Sequence, residues 1–270
     1  MKLCVIGGAG ARSAFLTKSL VKSTRDIRVD HIVLLDNDQQ KLKTYGEISR
    51  ELSRRLDPDL TFEVTSDARA ALTGVDYIIT TIRAGGDAGR FDEQTCLAHG
   101  VLGQETTGAG GFAMAIRSVP TLVYYCTLAR EVANPGHLIF NFTNPSGIIT
   151  QALRSKGFDN VYGICDAPSG FIKQLEEILE IPYGTLDIEC YGLNHLSWFR
   201  NAKVNGRDVQ RELLDNPRTY EHSEMRLFTR EMARISGDCM LNEYLYFYYR
   251  RVKSLSMIQK ADHPRGEMIY

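Results

Sequence analysis

Lys2-Leu3-Cys4-Val5-Ile6-Gly7-Gly8-Ala9-Gly10-Ala11-Arg12-Ser13 opens the chain, and its reading decides the fold. A short apolar run ends in glycines, and the helical pattern Ala14 to Val21 follows directly. Glycines at a strand-to-helix turn let the backbone approach a pyrophosphate, and the helix N-terminus presents N–H groups to it. Gly7, Gly8 and Gly10 are therefore the candidate cofactor-binding positions. Ser13 stands at the third fingerprint position, and glycine turns also occur for packing alone, so the motif needs support from its surroundings.

That support begins at His31 to Leu35, a buried strand closed by Asp36. A carboxylate at this place accepts hydrogen bonds from an adenosine ribose and repels a 2′-phosphate, which favours NAD over NADP. The alternative for Asp36 is an N-cap for the next helix. Gln39 to Leu56 reads as one long helix that stops before Pro58. Thr61 to Thr65 and Val75 to Ile82 read as strands, Phe112 to Ala133 as a helix, and His137 to Phe142 and Val161 to Ile164 as further strands. Short apolar strands alternating with helices imply parallel βαβ units with right-handed crossovers. The expected fold is α/β: a Rossmann-like, doubly wound parallel sheet followed by an α+β substrate domain. The sequence places the nucleotide domain at 1–170 and a substrate, metal and oligomerisation region at 171–270. That region opens with an antiparallel stretch from Asp187 to His195, and Glu221 to Lys253 reads as largely helical. The chain ends at Glu267-Met268-Ile269-Tyr270 without a stop signal, so a truncated C-terminus is expected.

Composition narrows the function classes. The chain has 270 residues, with 32 Lys and Arg against 33 Asp and Glu, a net charge of −1. Without a polybasic run, nucleic acid and anionic membranes are poor partners. No apolar stretch reads as a bilayer span and the first residues read as a strand, so a cytoplasmic protein is expected. Six cysteines, at positions 4, 96, 126, 165, 190 and 239, form no CxxC pair and read as free thiols.

Four further groups carry chemistry. Arg83, in Ile82-Arg83-Ala84-Gly85-Gly86, follows the carboxyl end of a strand, where open α/β sheets bind ligands. A guanidinium there suits a phosphate or carboxylate, or else forms a surface salt bridge. Asn141-Phe142-Thr143-Asn144-Pro145 follows another strand, with short polar groups expected to face the crevice, or to form a simple Asx-turn. Cys165-Asp166 and Asn194-His195 offer a thiolate and an imidazole for a divalent metal, although a lone Cys and His are more often structural. Asn242-Glu243-Tyr244-Leu245-Tyr246-Phe247-Tyr248-Tyr249 places Tyr244 and Tyr248 on one face of a helix. Such a stripe is usually core or interface. A tyrosine acts as a base only where a cation or metal lowers its pKa well below about 10.

Taken in order, Ile6-Gly7-Gly8, Ile82-Arg83-x-Gly85-Gly86, Gln104-Glu105-Thr106-Thr107-Gly108-x-Gly110-Gly111, Asn141-x-Thr143-Asn144-Pro145, Gly163-x-Cys165-Asp166 and Gly192-Leu193-Asn194-His195 resemble glycoside hydrolase family 4. These are NAD- and manganese-dependent glycosidases with a lactate and malate dehydrogenase-like fold. The resemblance implies that Cys165 and His195 hold the metal against the sugar's O2 and O3. It implies oxidation at C3, removal of the C2 proton by Tyr244, and elimination with Asp166 as the acid. This family is named among the exceptions to two-carboxylate glycoside hydrolysis. Arg83 would bind the sugar phosphate and Asn144 the sugar hydroxyls. The chain departs from the family at Ala9 to Ala14, where a third glycine, a serine and a Tyr-Thr-Pro are usual, and at Ala109 and Ala113.

Asp166 after the cysteine resembles the phospho-α-glucosidases, and the tyrosine run resembles the phospho-β-glucosidases. The expected activity is 6-phospho-β-glucoside hydrolysis. The alternatives are 6-phospho-α-glucosidase or α-galactosidase, a 2-hydroxy-acid dehydrogenase, and a non-catalytic NAD-binding protein. The expected partner is a small phosphorylated sugar, and the tyrosine cluster points to a homodimer or homotetramer.

Overall fold

The structure is a computed structural model and describes residues 1–104 and 106–260, with the side chains of Asp87, Ala88 and Arg90 left aside. Glu105 and the closing Glu267 to Tyr270 segment thus lie outside the described residues. The chain divides into two compact units, Met1–Gly89 with Gly111–Ile164, and Arg90–Gly110 with Cys165–Tyr270.

The first unit is built on strands β1 (Lys2–Ile6), β2 (His31–Leu35), β3 (Thr61–Thr65), β4 (Tyr77–Thr80), β5 (Leu138–Asn141) and β6 (Val161–Gly163). They pair in the order β3-β2-β1-β4-β5-β6, all in parallel. This is the order of a dinucleotide-binding fold, with its switch point between β1 and β4. The connecting helices are α1 (Ser13–Ile27), α2 (Gln39–Lys41), α3 (Glu47–Leu56), α4 (Ala68–Leu72), α5 (Arg90–Ala98, which belongs to the second unit), α6 (Gly108–Val132) and α7 (Ser146–Ser155).

Both sheet faces are buried, which is why the strands read as unbroken apolar runs. Leu3, Val5, Ile32 and Leu34 face one side, with Val21 of α1. Cys4, Ile6, Val33 and Leu35 face the other, with Leu122, Cys126 and Ala129 of α6 and Ile149 and Leu153 of α7. The alternation along each strand puts helices on both faces, which is the doubly wound arrangement expected.

Three local readings change. The expected helix Gln39 to Leu56 is interrupted by a π-helical turn, Leu42–Gly46. There a Cβ on Gly46 would lie 2.6 Å from Val64 Cγ1, so the bare α-carbon lets the helix press onto β3. The strand expected over Val75 to Ile82 runs only from Tyr77 to Thr80. Finally, α6 is 25 residues long, with a window of mean hydropathy 1.2, long and apolar enough by length and composition to cross a membrane. The sequence reading identified no such stretch. Leu122, Cys126, Leu128 and Ala129 of α6 are part of the sheet's own core, whereas Phe112, Ile116 and Tyr124 are exposed.

The second unit contains α8 (Ala167–Leu179), the antiparallel hairpin β7 (Leu186–Leu193) and β8 (Leu196–Val204), and the short strand β9 (Arg207–Asp208). After these come α9 (Gln210–Asp215), α10 (Thr219–His222), α11 (Arg230–Ile235), β10 (Met240–Leu241), α12 (Tyr244–Tyr249) and α13 (Arg251–Gln259). Phe171 and Leu175 of α8 pack with Phe199 of β8, and the Phe171 and Phe199 rings meet edge to face at 4.8 Å. The largely helical stretch expected over Glu221 to Lys253 is broken. Gly237 at φ +80° and Asp238 at φ +54° turn the chain, and β10 then pairs with Trp198 and Phe199 of β8.

The division also differs from the boundary read near residue 170. Cys165 already belongs to the second unit, and so does the segment Arg90–Gly110. That segment is anchored there by Gln259 Nε2 donating to Leu97 O at 3.1 Å.

Candidate active site

In the first unit, the glycine loop follows β1 and opens α1. Gly7 has φ +81°, and a Cβ there would lie 2.9 Å from the Thr81 carbonyl, so the turn requires glycine. The N–H groups of Gly7 and Gly8 both donate to Leu35 O, at 2.8 and 3.0 Å. Ala9 N donates to Asp36 Oδ2 at 3.1 Å, and Asp38 N donates to Asp36 Oδ1 at 3.1 Å. Gly7 and Gly8 therefore shape the loop and do not present their own N–H groups to a ligand. Among the described residues, no protein acceptor takes the N–H groups of Gly10, Ala11 or Arg12. Asp36 is not the cap of the following helix; Asp38 is, accepting from Gln40 N and Lys41 N. Asp36 instead ties the end of β2 to the glycine loop and keeps its remaining carboxylate lone pairs for a ligand.

A Cβ on Gly10 would meet nothing within 4 Å, and its backbone is not in the left-handed region. The loop thus has a bare, open position beside an uncapped helix N-terminus, which fits a pyrophosphate. This separates packing from binding. Gly10→Ala is expected to leave the melting temperature unchanged within about 2 °C while weakening NAD binding by about tenfold or more, about 1.4 kcal/mol. Equilibrium NAD titration beside thermal unfolding checks it; unaltered affinity would assign the loop to packing.

At the ends of β4 and β5 the polar residues divide into two sets. Asn141 is fully buried and accepts from Thr80 Oγ1 at 2.8 Å while donating to Thr150 Oγ1 at 3.2 Å. Thr143 Oγ1 accepts from Ile82 N at 3.1 Å. Both side chains staple the two loops together and face inward, contrary to the expected display of short polar groups. Asn144, half-buried beyond them and joined to Pro145 by a cis peptide, remains the candidate for ligand contact. Arg83 is half-buried on the neighbouring loop, which turns through Gly86 N donating to its carbonyl at 2.9 Å. Sequence reasoning missed Arg117 of α6. Its guanidinium braces this loop, with Nε donating to Ala84 O at 3.4 Å and lying 3.3 Å from where a Gly85 Cβ would be.

The second unit holds the metal and base candidates together. Cys165 Sγ and His195 Nε2 lie 3.5 Å apart. Two ligands of one ion, with metal–sulfur near 2.3 Å and metal–nitrogen near 2.1 Å, sit about 3.1 to 3.6 Å apart for right-angle to tetrahedral bonding. The observed spacing falls within that range. The pair comes from the loop two residues before α8 and from the tip of the β7–β8 hairpin. Gly192 precedes the tip at φ +118°, where any Cβ would run into the Leu196 carbonyl, so the turn depends on it. His195 itself sits at φ +57°, a left-handed conformation that histidine tolerates better than most residues at a cost of about 1 kcal/mol. Beside it, Asn194 Oδ1 is buried and accepts no hydrogen bond among the described residues. No third His, Cys, Asp or Glu joins the pair among the described residues. Further donors to an ion there would have to come from elsewhere, substrate oxygens included.

Burial pushes the Cys165 thiol up, and the Asp166 and Glu224 carboxylates add to this, while the N–H groups of Ala167 and Asp166 oppose it. A thiol in such a place needs a cation to become a thiolate, which again fits a divalent metal. Burial likewise pushes Cys4 and Cys126 up to about 12, leaving them inert core thiols.

Tyr244, only 2% exposed, meets the His195 ring in an edge arrangement with centroids 4.4 Å apart. Tyr248, expected on the same face, is 54% exposed, because α12 is six residues long and only its first turn enters the core. Asp166 is exposed and makes no cap bond to α8, so its carboxylate is accessible. In the Gln104 to Gly111 motif, Gln104 Oε1 and Thr106 Oγ1 are buried with no hydrogen-bond partner among the described residues, and Glu105 lies outside them.

Sequence reading did not single out Glu224. Its carboxylate is largely buried, and desolvation raises its pKa from 4.5 to about 7, with the Glu243 charge adding to the rise. The N–H of Glu243, Arg226 and Asn242 pull the other way. For the metal-free chain the sign follows from linkage. Below 4.5 the carboxyl is neutral in both states. Between 4.5 and about 7 it ionises only when unfolded, so its contribution to stability is lost as pH rises through that window. The interval corresponds to about 3 kcal/mol at most. Glu224→Gln is therefore expected to gain stability relative to the parent between pH 5 and 8. Urea unfolding of both across that range checks this, and parallel profiles would refute it.

The chain matches two family profiles, family 4 glycosyl hydrolase over residues 2–181 and the family 4 C-terminal domain over residues 190–269. It is 35% identical over 219 residues to the 6-phospho-beta-glucosidase BglT of Thermotoga maritima, a match covering 80% of this chain and 51% of that relative. The structure of the Thermotoga maritima 6-phospho-beta glucosidase with manganese, NAD+ and glucose-6-phosphate superposes with a TM-score of 0.87 at 30% identity, covering 98% of this chain and 63% of that one. A 6-phospho-alpha-glucosidase from gut microorganisms, in complex with NAD and Mn2+, gives 0.88 at 27% identity, covering 98% and 64%. A malate dehydrogenase from Salinibacter ruber, at 17% identity and a TM-score of 0.59, shares the fold alone. The chain thus spans about half the length of that curated relative and under two thirds of the two solved glucosidases. With both profiles matched along nearly its whole length, the chain belongs to family 4 of the glycosyl hydrolases.

Proposed function

We propose that this protein is an NAD- and manganese-dependent glycosidase acting on 6-phospho-β-glucosides. The observation that carries the reading is the cluster of Cys165, His195 and Tyr244, with 3.5 Å between the two ligand atoms and 4.4 Å between the two rings. When bound, NAD supplies a reversible hydride acceptor and Mn2+ a Lewis acid. Cys165 and His195 hold the ion. Gly10 and the start of α1 receive the pyrophosphate, on a loop that Gly7 and Gly8 shape, and Asp36 receives the ribose. Arg83 binds the sugar phosphate and Asn144 the hydroxyls. Tyr244 takes the C2 proton onto its phenolate oxygen, and Asp166 gives a proton to the departing glycosidic oxygen.

The β preference rests on 35% identity to a relative named 6-phospho-beta-glucosidase, against 30% to one named phospho-alpha-glucosidase. The working form is a cytoplasmic homodimer or homotetramer, consistent with the exposed Tyr248 and Tyr249.

Paired nitrophenyl α- and β-glucoside 6-phosphates test the reading, each with and without NAD and Mn2+. Cleavage of the β anomer that needs both, with no NADH accumulating, is the expected result. Net NADH from a 2-hydroxy acid would make the protein a dehydrogenase. No turnover of any of these by folded, NAD-bound protein would make it a non-catalytic binder.

A further inference from the structure

Glu224 opens a 3-10 turn, Glu224–Leu227, in the second unit. Its backbone N–H donates to Gln174 Oε1 of α8 at 3.0 Å, which fixes the turn to the unit's core helix. Its side chain reaches across to the connection between β10 and α12. There Oε2 accepts from Asn242 Nδ2 at 2.8 Å and from Glu243 N at 3.0 Å. Asn242 is buried, and each of its polar groups is committed. Its N–H donates to Ser197 O of β8 at 3.1 Å, and its Oδ1 accepts from Tyr244 N at 3.1 Å. Arg226, on the same turn as Glu224, adds a second clamp by donating to Glu243 Oε2 at 3.0 Å. One carboxylate oxygen thus fixes two consecutive residues of the turn from which Tyr244 starts. Ser197, the strand residue that this turn grips, lies two positions after His195.

We infer that Glu224 is a positioning residue for Tyr244: by gripping Asn242 and Glu243 it sets the first turn of α12, and so the distance and tilt of the Tyr244 ring at His195. The inference rests on the reading of Tyr244 as the base, but the grip itself can be tested separately. Bonds to a carboxylate shielded from water are among the stronger ones, and both end on a single oxygen, so losing it frees two part-buried donors at once. A base displaced by about 1 Å loses on the order of a hundredfold in rate. Glutamine can keep the grip, because its amide oxygen accepts the same two bonds without a charge. Aspartate keeps the charge but falls one methylene short.

The test uses the whole chain with 13C-labelled tyrosine, the Tyr244 ring signal being identified by its absence in Tyr244→Phe. Glu224→Ala and Glu224→Asp are expected to shift that signal and weaken its contact with the His195 ring, while Glu224→Gln leaves both in place. With NAD, Mn2+ and the β substrate, kcat in Ala and Asp falls about tenfold to a hundredfold while KM stays within about threefold, and Gln restores kcat to within about threefold. A folded Glu224→Ala or Glu224→Asp with an unmoved Tyr244 signal overturns the inference, and so does Glu224→Gln as displaced as alanine. If Glu224→Ala does not fold, the Asp and Gln pair decides. If the signals move as expected but Tyr244→Phe turns over at the full rate, the grip stands and the assignment of Tyr244 as base falls.

Discussion

Cys165→Ser is expected to bind Mn2+ at least about a hundredfold more weakly and to lose most β-glucoside 6-phosphate hydrolysis at micromolar metal. Removing even an outer-shell partner of a metal ligand typically costs 10- to 100-fold in affinity, and here one of two converging protein donors goes. The loss is separable from misfolding. Cys165 is half-buried, and serine is nearly isosteric, so the melting temperature should stay within a few degrees. Because the rate is lost through weaker metal binding, millimolar Mn2+ should recover part of it, whereas NAD affinity should be untouched. Equilibrium dialysis of Mn2+ alongside activity at graded metal reads both effects. Equal Mn2+ affinity in parent and variant would remove Cys165 from the metal site, and the 3.5 Å pair would become an ordinary thiol–imidazole contact.

Tyr244→Phe addresses the other half of the cluster. It deletes only the hydroxyl and keeps the buried ring against His195 and Phe247, 4.4 and 5.3 Å between centroids. Stability should fall by about 1 kcal/mol or less. A positioned base contributes about 10²- to 10⁴-fold, so kcat should fall by that factor with KM nearly unchanged. Solvent exchange gives a sharper check. In D2O the parent should place deuterium at C2 of the released sugar phosphate, and the variant should do so far more slowly. Unimpaired exchange in Tyr244→Phe would hand the proton to another group.

The nucleotide unit was legible because its strands are buried on both faces. Leu3 to Ile6 and Ile32 to Leu35 alternate between two cores, so polar residues are excluded from both and each stretch appears as a bare apolar run. The π-helical turn at Leu42–Gly46 was not legible, since nothing in local propensity marks it. It arises from tertiary packing of Gly46 on Val64. The stretch from Glu221 to Lys253 misled for a related reason. Its apolar spacing is helical, but Met240 and Leu241 gain more by pairing with Phe199 and Trp198 than by continuing a helix through Gly237. In the site, Cys165 and His195 are far apart in the chain, so residue chemistry alone could not pair them; the resemblance to the family did. Glu224 escaped both routes. Its partners Asn242 and Glu243 lie 18 and 19 residues away, with no pattern to link them. The same holds for Asn141 and Thr143, whose polar character looked like ligand chemistry and serves a buried staple instead.

The placement of Arg90–Gly110 with the second unit has a consequence for modularity. The polypeptide passes between units at Gly89, at Gly110 and at Ile164, and α6 continues straight through the second of these passages. No single cut therefore yields a nucleotide cassette that could be lifted out, transplanted or recombined as an uninterrupted stretch. A fragment ending at Ile164 would carry Leu97 without the Gln259 that holds it, and a fragment starting at Cys165 would carry Gln259 with nothing to hold. Exchange between relatives that respects this division would have to swap two separate segments of a unit together.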